Sequence, residues 1–326
     1  MKKVLIAILL LGLLPHASAD YIHWVDFRLS APVLRSALEL DMASQGGEQP
    51  LDWIDILALA AAWRGGTGVT VADTQRAAQV LRGDTPPERL PGMAGRCFSY
   101  YRAAYGAALG GLVGHFAIRR TDPQTDEAEW IPAYGLKAFS PIAAGYPWSH
   151  YPDFGAQRSY GYARPHLGND ILGALGTPIC AVEGGTVEAL GWNRYGGWRI
   201  GIRSDDRKRY YYYAHLRKDT PYAEGLAVGQ RVQAGEVIGF MGRTGYSAQE
   251  NVNNIETVHL HFGLQLIFDE SQKECDSEIW IDVYPIIELL ASHCSSVARD
   301  PQTGRWERLY PYCDLDAEPL RSAAAR

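Results

Sequence analysis

The feature that most constrains this chain is a change of character near residue 131. Before it, from Asp20 to about Arg120, the sequence is Ala-rich and helical in pattern, clearest in Leu51-Asp-Trp-Ile-Asp-Ile-Leu-Ala-Leu-Ala-Ala-Ala-Trp63, which Gly65-Gly66 ends. A second helix is expected after Val71-Ala-Asp-Thr, through Ala77 to Leu81, and a third, rich in small residues, from Tyr100 to His115. Asp84-Thr-Pro-Pro-Glu and Gly92-Met-Ala-Gly95 read as loops. Beyond Ile131 the sequence alternates, carries many aromatics and is punctuated by glycine. Strands are expected at Thr177–Val182, Gly185–Trp192, Trp198–Arg203, Arg209–His215, Arg231–Phe240 and Val258–Ile267, and a short helix at Pro285–His293. The fold class is therefore α+β. A small helical domain over 20–130 precedes a mostly antiparallel sheet, or barrel-sandwich-like domain, over 131–290, and 291–326 forms a C-terminal tail.

Residues 1–19 read as a secretory signal: Lys2 and Lys3, the apolar run Val4 to Leu14, then Pro15 and Ala17-Ser18-Ala19, with cleavage expected after Ala19. Eleven apolar residues fall short of the roughly 20 a spanning helix needs, so no stable transmembrane anchor is expected after cleavage. The implied location is the periplasm or the exterior of the cell envelope. Removing two lysines moves the formal charge from -6 to -8, which argues against nucleic acid as a partner. Five cysteines are thinly spread and none sits in a metal-knuckle spacing, although Cys275, Cys294 and Cys313 could supply one disulfide.

Chemistry concentrates in three places. His259-Leu-His261 has a spacing of two, which on a strand puts both imidazoles on one face and Leu260 and Phe262 on the other. In His166-Leu-Gly-Asn-Asp170 the even spacing of four, in extended backbone that Gly168 allows to bend, returns both side chains to one side. Tyr213-Ala-His215 ends the tyrosine run, with Tyr211, Tyr213 and His215 expected on a shared face and Tyr213 able to offer a hydroxyl. Imidazole and carboxylate are ligand types that zinc takes, and the three segments together carry more weight than any one. His23, His115, His150 and His293 stand alone, His150 being of interest for its aromatic setting in Tyr146-Pro-Trp-Ser-His-Tyr-Pro152. No H-E-x-x-H is present.

With these motifs in order, residues 136–290 resemble the lysostaphin/LytM-like zinc metalloendopeptidase family of peptidoglycan hydrolases. The segment Gly176-Thr-Pro-Ile-Cys-Ala-Val-Glu-Gly-Gly-Thr-Val187 is similar to the one that follows the family's first ligand motif, and Gly229–Gly239 with Gly242-Arg-Thr-Gly245 to its glycine-spaced segment. The resemblance implies Zn²⁺ on His166, Asp170 and His261, with His215 and His259 as the catalytic pair handling protons, their division of labour open. Three protein ligands leave a fourth position for water. It also implies the peptide moiety of peptidoglycan as substrate. Tyr246–Val258 is longer than the family's usual loop and is expected to line or partly cover the cleft. Trp192-Asn-Arg-Tyr-Gly-Gly-Trp198 reads equally as an aromatic wall or as hairpin packing.

Two other readings compete. A noncatalytic envelope scaffold or activator could keep this fold, but such relatives lose ligands or the adjacent histidines, and here all five residues are present. A lipoyl- or biotinyl-type carrier would need a lysine at its hairpin tip, where this chain has Phe240-Met241-Gly242-Arg243. The helical half contains no motif that names a role or a protein partner.

Overall fold

The structure, a computed structural model, describes residues 21–121, 128–273 and 277–317. The expected signal segment and Cys275 lie outside the described residues.

The N-terminal half packs four helices: α1 (Ala31–Ser44), α2 (Trp53–Arg64), α3 (Val71–Leu81) and α4 (Met93–Leu109). The chain starts α2 where the Asp52 side chain accepts the Ile54 N–H, and stops it at Gly65, whose left-handed φ of 63° suits glycine. Nine of its twelve residues are buried, so α2 forms the centre of the bundle. A capping box of Thr70 and Asp73 opens α3, and Arg64 from the end of α2 grips the same Asp73 carboxylate at 3.0 Å.

The last helix departs from expectation. It begins at Met93, inside the segment read as a loop, and ends at Leu109, after which Val113–Thr121 is a strand (β1) rather than the end of a helix. Gly110-Gly111 stops the helix, and β1 gains its hydrogen bonds from β2 (Ala128–Leu136) on one side and from Tyr312–Asp314 on the other. One partner begins at Ala128 and the other at Tyr312, so no local pattern reveals them. The expected boundary at residue 130 therefore falls inside β2, and the tail supplies the third strand of this small sheet.

The remaining strands follow in chain order: β3 (Trp148–His150), β4 (Gln157–Arg158), β5 (Arg164–Pro165), β6 (Asn169–Gly173), β7 (Pro178–Cys180), β8 (Gly185–Asn193), β9 (Gly197–Ser204), β10 (Arg209–Ala214), β11 (Arg231–Val232), β12 (Val237–Phe240), β13 (His259–Leu266) and β14 (Ile279–Trp280). Helix α5 (Tyr284–Leu290) comes next, then β15 (Val297–Arg299), β16 (Trp306–Arg308) and β17 (Tyr312–Asp314). The expected strand 231–240 is thus two short ones, divided at Gly235, whose φ is 78°.

Eight strands form one antiparallel sheet in the order β11-β8-β9-β10-β13-β6-β3, with β14 on the far part of β13, and the sheet does not close into a barrel. Val187, Ile200, Ile202, Tyr211, Tyr213, Leu260, Phe262 and Leu264 fill the core face. Burying such side chains contributes about 1.5–3 kcal/mol each. The opposite face carries the site. Cys97, Cys180 and Cys294 are free thiols, and Cys180 is fully buried.

The helical half is tied to this sheet by a buried ion cluster. Arg209 at the start of β10 donates from Nε and Nη2 to both oxygens of Glu183, at 2.7 and 3.0 Å, and from Nη1 to the Ala107 carbonyl at 2.8 Å. The Tyr211 hydroxyl donates to Glu183 Oε2 at 2.6 Å. A guanidinium that caps the C-terminal carbonyls of α4 also meets the negative end of its dipole.

Candidate metal centre

Three ligand-type atoms converge where β6 and β13 run side by side. The register pairs His261 with Asp170 directly. His166, on the turn entering β6, comes over the same point because Gly168 lets the backbone pass close beneath the imidazole: a Cβ there would lie 2.7 Å from His261 Cε1. His166 Nε2 is 2.7 Å from His261 Nδ1 and 3.0 Å from Asp170 Oδ1, and His261 Nδ1 is 3.2 Å from that same oxygen. Among the described residues these three are the group able to hold a metal ion.

Two further imidazoles flank them. The His259 and His215 rings lie 4.7 Å apart, and His259 Nε2 is 3.7 Å from Asp170 Oδ1. His259 Nδ1 faces the Thr257 carbonyl and His215 Nδ1 the Thr244 carbonyl, each at 2.9 Å. A carbonyl only accepts, so both Nδ1 atoms carry the proton, and each Nε2 keeps a lone pair. All five residues read from the sequence therefore meet in one place.

His215 arrives there through a backbone twist. Its φ is 61°, a left-handed conformation uncommon outside glycine, which costs on the order of 1–3 kcal/mol, and its N–H is held by the Gly196 carbonyl at 2.7 Å. The twist breaks the strand alternation. As a result Tyr213 does not share a face with His215: it is fully buried in the core and its hydroxyl accepts the Val182 N–H at 2.9 Å. Tyr212 takes the place on the cleft side, with its ring edge-on to His261 at 5.9 Å.

A second layer, which spacing did not reveal, holds the first. The Asp153 carbonyl and carboxylate both lie 3.1 Å from His166 Nδ1, fixing the proton there and leaving Nε2 to face Asp170. Asn169 donates to Asp153 Oδ1 at 2.9 Å, and its carbonyl oxygen meets His150 at 2.6 Å. His150 in turn reaches Glu288 of α5 at 2.7 Å and stacks on Tyr284. Arg158 on β4 donates to Asp170 Oδ2 at 2.9 Å, so only Oδ1 is turned towards the histidines. Asn169 stands inside the His166–Asp170 motif and could have been suspected. Asp153 and Arg158 carry no signal of their own, because short loop and strand segments bring them in from outside the motif.

Electrostatics follow from this geometry. Burial alone would push the His166 imidazole down, but the Asp153 and Asp170 carboxylates outweigh it and lift it to about 9. Burial would raise Asp170, yet hydrogen bonds from His166 and His261 hold its carboxyl well below the usual range. His215 is pushed well below the ordinary imidazole value by burial, with His259 and His261 adding repulsion. Burial also lowers His261, against the pull of Asp170.

The donor set fits zinc. Bonds of about 2.0–2.2 Å put tetrahedral ligand atoms about 3.3 Å apart, close to the separations above. Two neutral imidazole nitrogens and one carboxylate oxygen make a common zinc set, and second-layer partners on His166 and Asp170 are what such ligands have. Around the centre lies a cleft of about 250 Å³ that includes Arg158, Arg164, Tyr195, Arg199, Tyr212, Tyr246 and Trp280. Tyr246, the first residue of the long loop, stacks on Tyr160 at 4.6 Å and lines the cleft. Further along, the Trp192 and Trp198 indoles bond to Ser247 and Asn251, so this hairpin braces the loop.

Comparison with known proteins places this half of the chain. Residues 164–274 match the model of peptidase family M23. Over 130 residues, 40% of this chain and 38% of the relative, it is 40% identical to the L-Ala--D-Glu endopeptidase of Bacillus subtilis. Over 98 residues, 30% of this chain and 24% of the relative, it is 38% identical to the glycyl-glycine endopeptidase ALE-1 of Staphylococcus capitis. The solved catalytic domain of the antimicrobial peptidase lysostaphin from Staphylococcus simulans overlaps 44% of this chain and 92% of that one, at 28% identity and a TM-score of 0.33. The matched part spans less than half the length of these curated relatives. Residues 164–274 are thus a peptidase family M23 domain of the lysostaphin/LytM-like kind.

Proposed function

We propose that this chain is an exported zinc-dependent endopeptidase that cleaves peptide cross-links or bridges of bacterial peptidoglycan, in the periplasm or outside the cell. The observation that carries the reading is the convergence of His166 Nε2, His261 Nδ1 and Asp170 Oδ1 within 3.2 Å of one another, with two more imidazoles beside them. The matching relatives are named as endopeptidases, which supports the reaction class. Among the described residues no helix is long and apolar enough to cross a membrane.

Zinc, when held by His166, Asp170 and His261, polarises the scissile carbonyl and makes water acidic enough to act near pH 7. The other steps belong to the protein. His215 stays neutral because burial disfavours its charged form, so its Nε2 is suited to take a proton from the attacking water and pass it to the leaving amine. His259 stands beside it as the second imidazole at the reacting centre, its ring 4.7 Å from that of His215 and its Nε2 3.7 Å from Asp170 Oδ1. Arg158 keeps Asp170 turned, and Asp153 keeps His166 in the tautomer that offers Nε2.

The test is digestion of purified peptidoglycan by the zinc-loaded chain, with fragments identified by mass. The expected result is new amino termini that vanish with chelator and return with zinc. Soluble fragments without new amino termini, or release that ignores chelation, would refute the reading.

A further inference from the structure

The cleft bears an unmatched positive charge. Four cations line it, but Arg158 is neutralised by Asp153 and Asp170, and Lys273 by Glu188. Glu278, also in the lining, already accepts the Trp280 indole N–H at 2.8 Å. Arg164 rests against the Tyr195 ring at 4.6 Å and donates to the Tyr160 carbonyl. Arg199, like Arg164, has no carboxylate within ion-pair distance among the described residues, but it differs from all of them in that its Nε is buried without a hydrogen-bond partner. A half-buried guanidinium left in this state is costly unless something visits it, since each unpaired donor keeps its desolvation penalty.

Its place relative to the reacting centre follows from the sheet register. On β10, Tyr213 pairs with Ile200 of β9 and Ala214 pairs with His261 of β13. Arg199 is the next residue in that register, so Arg199 and His261 flank Ala214 in one row across the sheet, both on the cleft face. Two strand spacings separate them, about 9.5 Å. An extended peptide covers about 3.3–3.6 Å per residue, so that span is about three residues.

We propose that Arg199 is a specificity-determining residue that binds a free carboxylate of the substrate, and that the peptide cut here carries such a carboxylate within about three residues of the scissile bond. The inference rests on the peptidase reading above and adds to it the charge class of the substrate. A planar guanidinium fork receives a carboxylate through two parallel hydrogen bonds, which a neutral amide cannot reproduce. The chain as a whole is acidic, with a formal charge of -6, so a cationic recess inside its cleft is not the product of general composition.

Four synthetic stem-type peptides separate the two sources of such a carboxylate: the glutamyl α-carboxyl free or amidated, combined with the C-terminal carboxyl free or amidated. Their affinities are measured by titration calorimetry against the full zinc-loaded chain carrying His215→Ala, so that nothing is cleaved during the titration. Amidating one of the two carboxyls is expected to weaken binding about 10-fold or more, the size of a charge-assisted hydrogen bond. Adding Arg199→Gln should bring acid and amide to the same affinity, while Arg199→Lys, which keeps the charge and loses the fork, should retain part of the preference. Equal binding of all four peptides, binding of none, or an acid preference that survives Arg199→Gln would overturn the proposal. Cleavage by the chain without His215→Ala is scored separately: a carboxylate preference in binding with no cleavage would defeat the peptidase reading and leave the subsite standing.

Discussion

Two clusters of buried charge on the same sheet invite comparison. At one end, Glu183 receives two hydrogen bonds from Arg209 and one from Tyr211, and Arg209 also pairs with Asp206 and donates to the last carbonyls of α4. At the other, Asp170 is surrounded by His166, His259, His261 and Arg158, and one ring nitrogen of His166 and one of His261 lie against each other and against the carboxylate. In the first cluster donors meet acceptors and the set is complete. In the second, acceptor-type atoms converge on a common point, an arrangement that is stable only when a proton or a cation lies among them. Burial and charge are alike in both, so neither marks function; the pattern of donors and acceptors does.

The comparison can be broken first at its structural end. Glu183→Gln removes the buried carboxylate from Arg209 and leaves only the more exposed Asp206, 2.8 Å from Nη2, as its counter-ion; removing one partner of a buried pair costs up to about 3–5 kcal/mol. Thermal or urea unfolding should show that loss, while zinc content of the folded fraction stays at the wild-type level. A variant that melts normally but loses zinc would mean that the two clusters are not separate.

At the metal end, Asp153→Asn removes the carboxylate beside His166 Nδ1 but retains its size and the backbone carbonyl contact. Losing such a partner typically lowers metal affinity about 10–100-fold. Competition with a fluorescent zinc chelator measures it, and unchanged affinity would show that Asp153 does not orient the ligand.

The smallest effect concerns the C-terminal strand. Lys137 pairs with Asp314 and Asp316 at 3.0 and 2.8 Å, and so helps hold β17 to β1. Burial works against both charges, yet the pairing raises Lys137 and lowers Asp316. A depressed carboxyl stabilises the fold above its unfolded value of about 3.9 and loses that contribution as pH falls; a raised ammonium stabilises below about 10.4 and loses it as pH rises. The contribution is therefore present between about pH 4 and 10.4, and with Asp316 partly exposed it amounts to at most about 1 kcal/mol. Hydrogen exchange should show Tyr312–Asp314 loosening near pH 3 while β13 remains protected. Protection of β17 that does not change across that range would contradict this.

Legibility in the sequence followed locality. His259 and His261 were readable because a strand alternates with period two, and Leu260 and Phe262 are indeed buried on the opposite face. The α+β class and its antiparallel sheet were readable from the switch between helical and alternating patterns. Tyr213 and Tyr212 exchanged roles because the left-handed φ of His215 is a tertiary constraint, held by Gly196, that no propensity encodes. The start of β1, Val113–His115, was read as helix because its pairing partners, β2 and β17, lie outside that segment, one of them near the C-terminus. Arg158, Asp153 and Arg199 were not singled out for the same reason: their significance lies in what the sheet register brings them next to.

The central claim is that the convergent cluster binds zinc and that His215 works beside it without holding the metal. It is tested most directly by measuring zinc per chain and new amino termini released from purified peptidoglycan, in parallel, for wild type and His215→Ala. The account predicts equal zinc in both proteins and a fall in release of about 10²–10⁴-fold in the variant, the usual contribution of a positioned acid–base group. Equal release by the two proteins, or loss of zinc together with activity in His215→Ala, would contradict it.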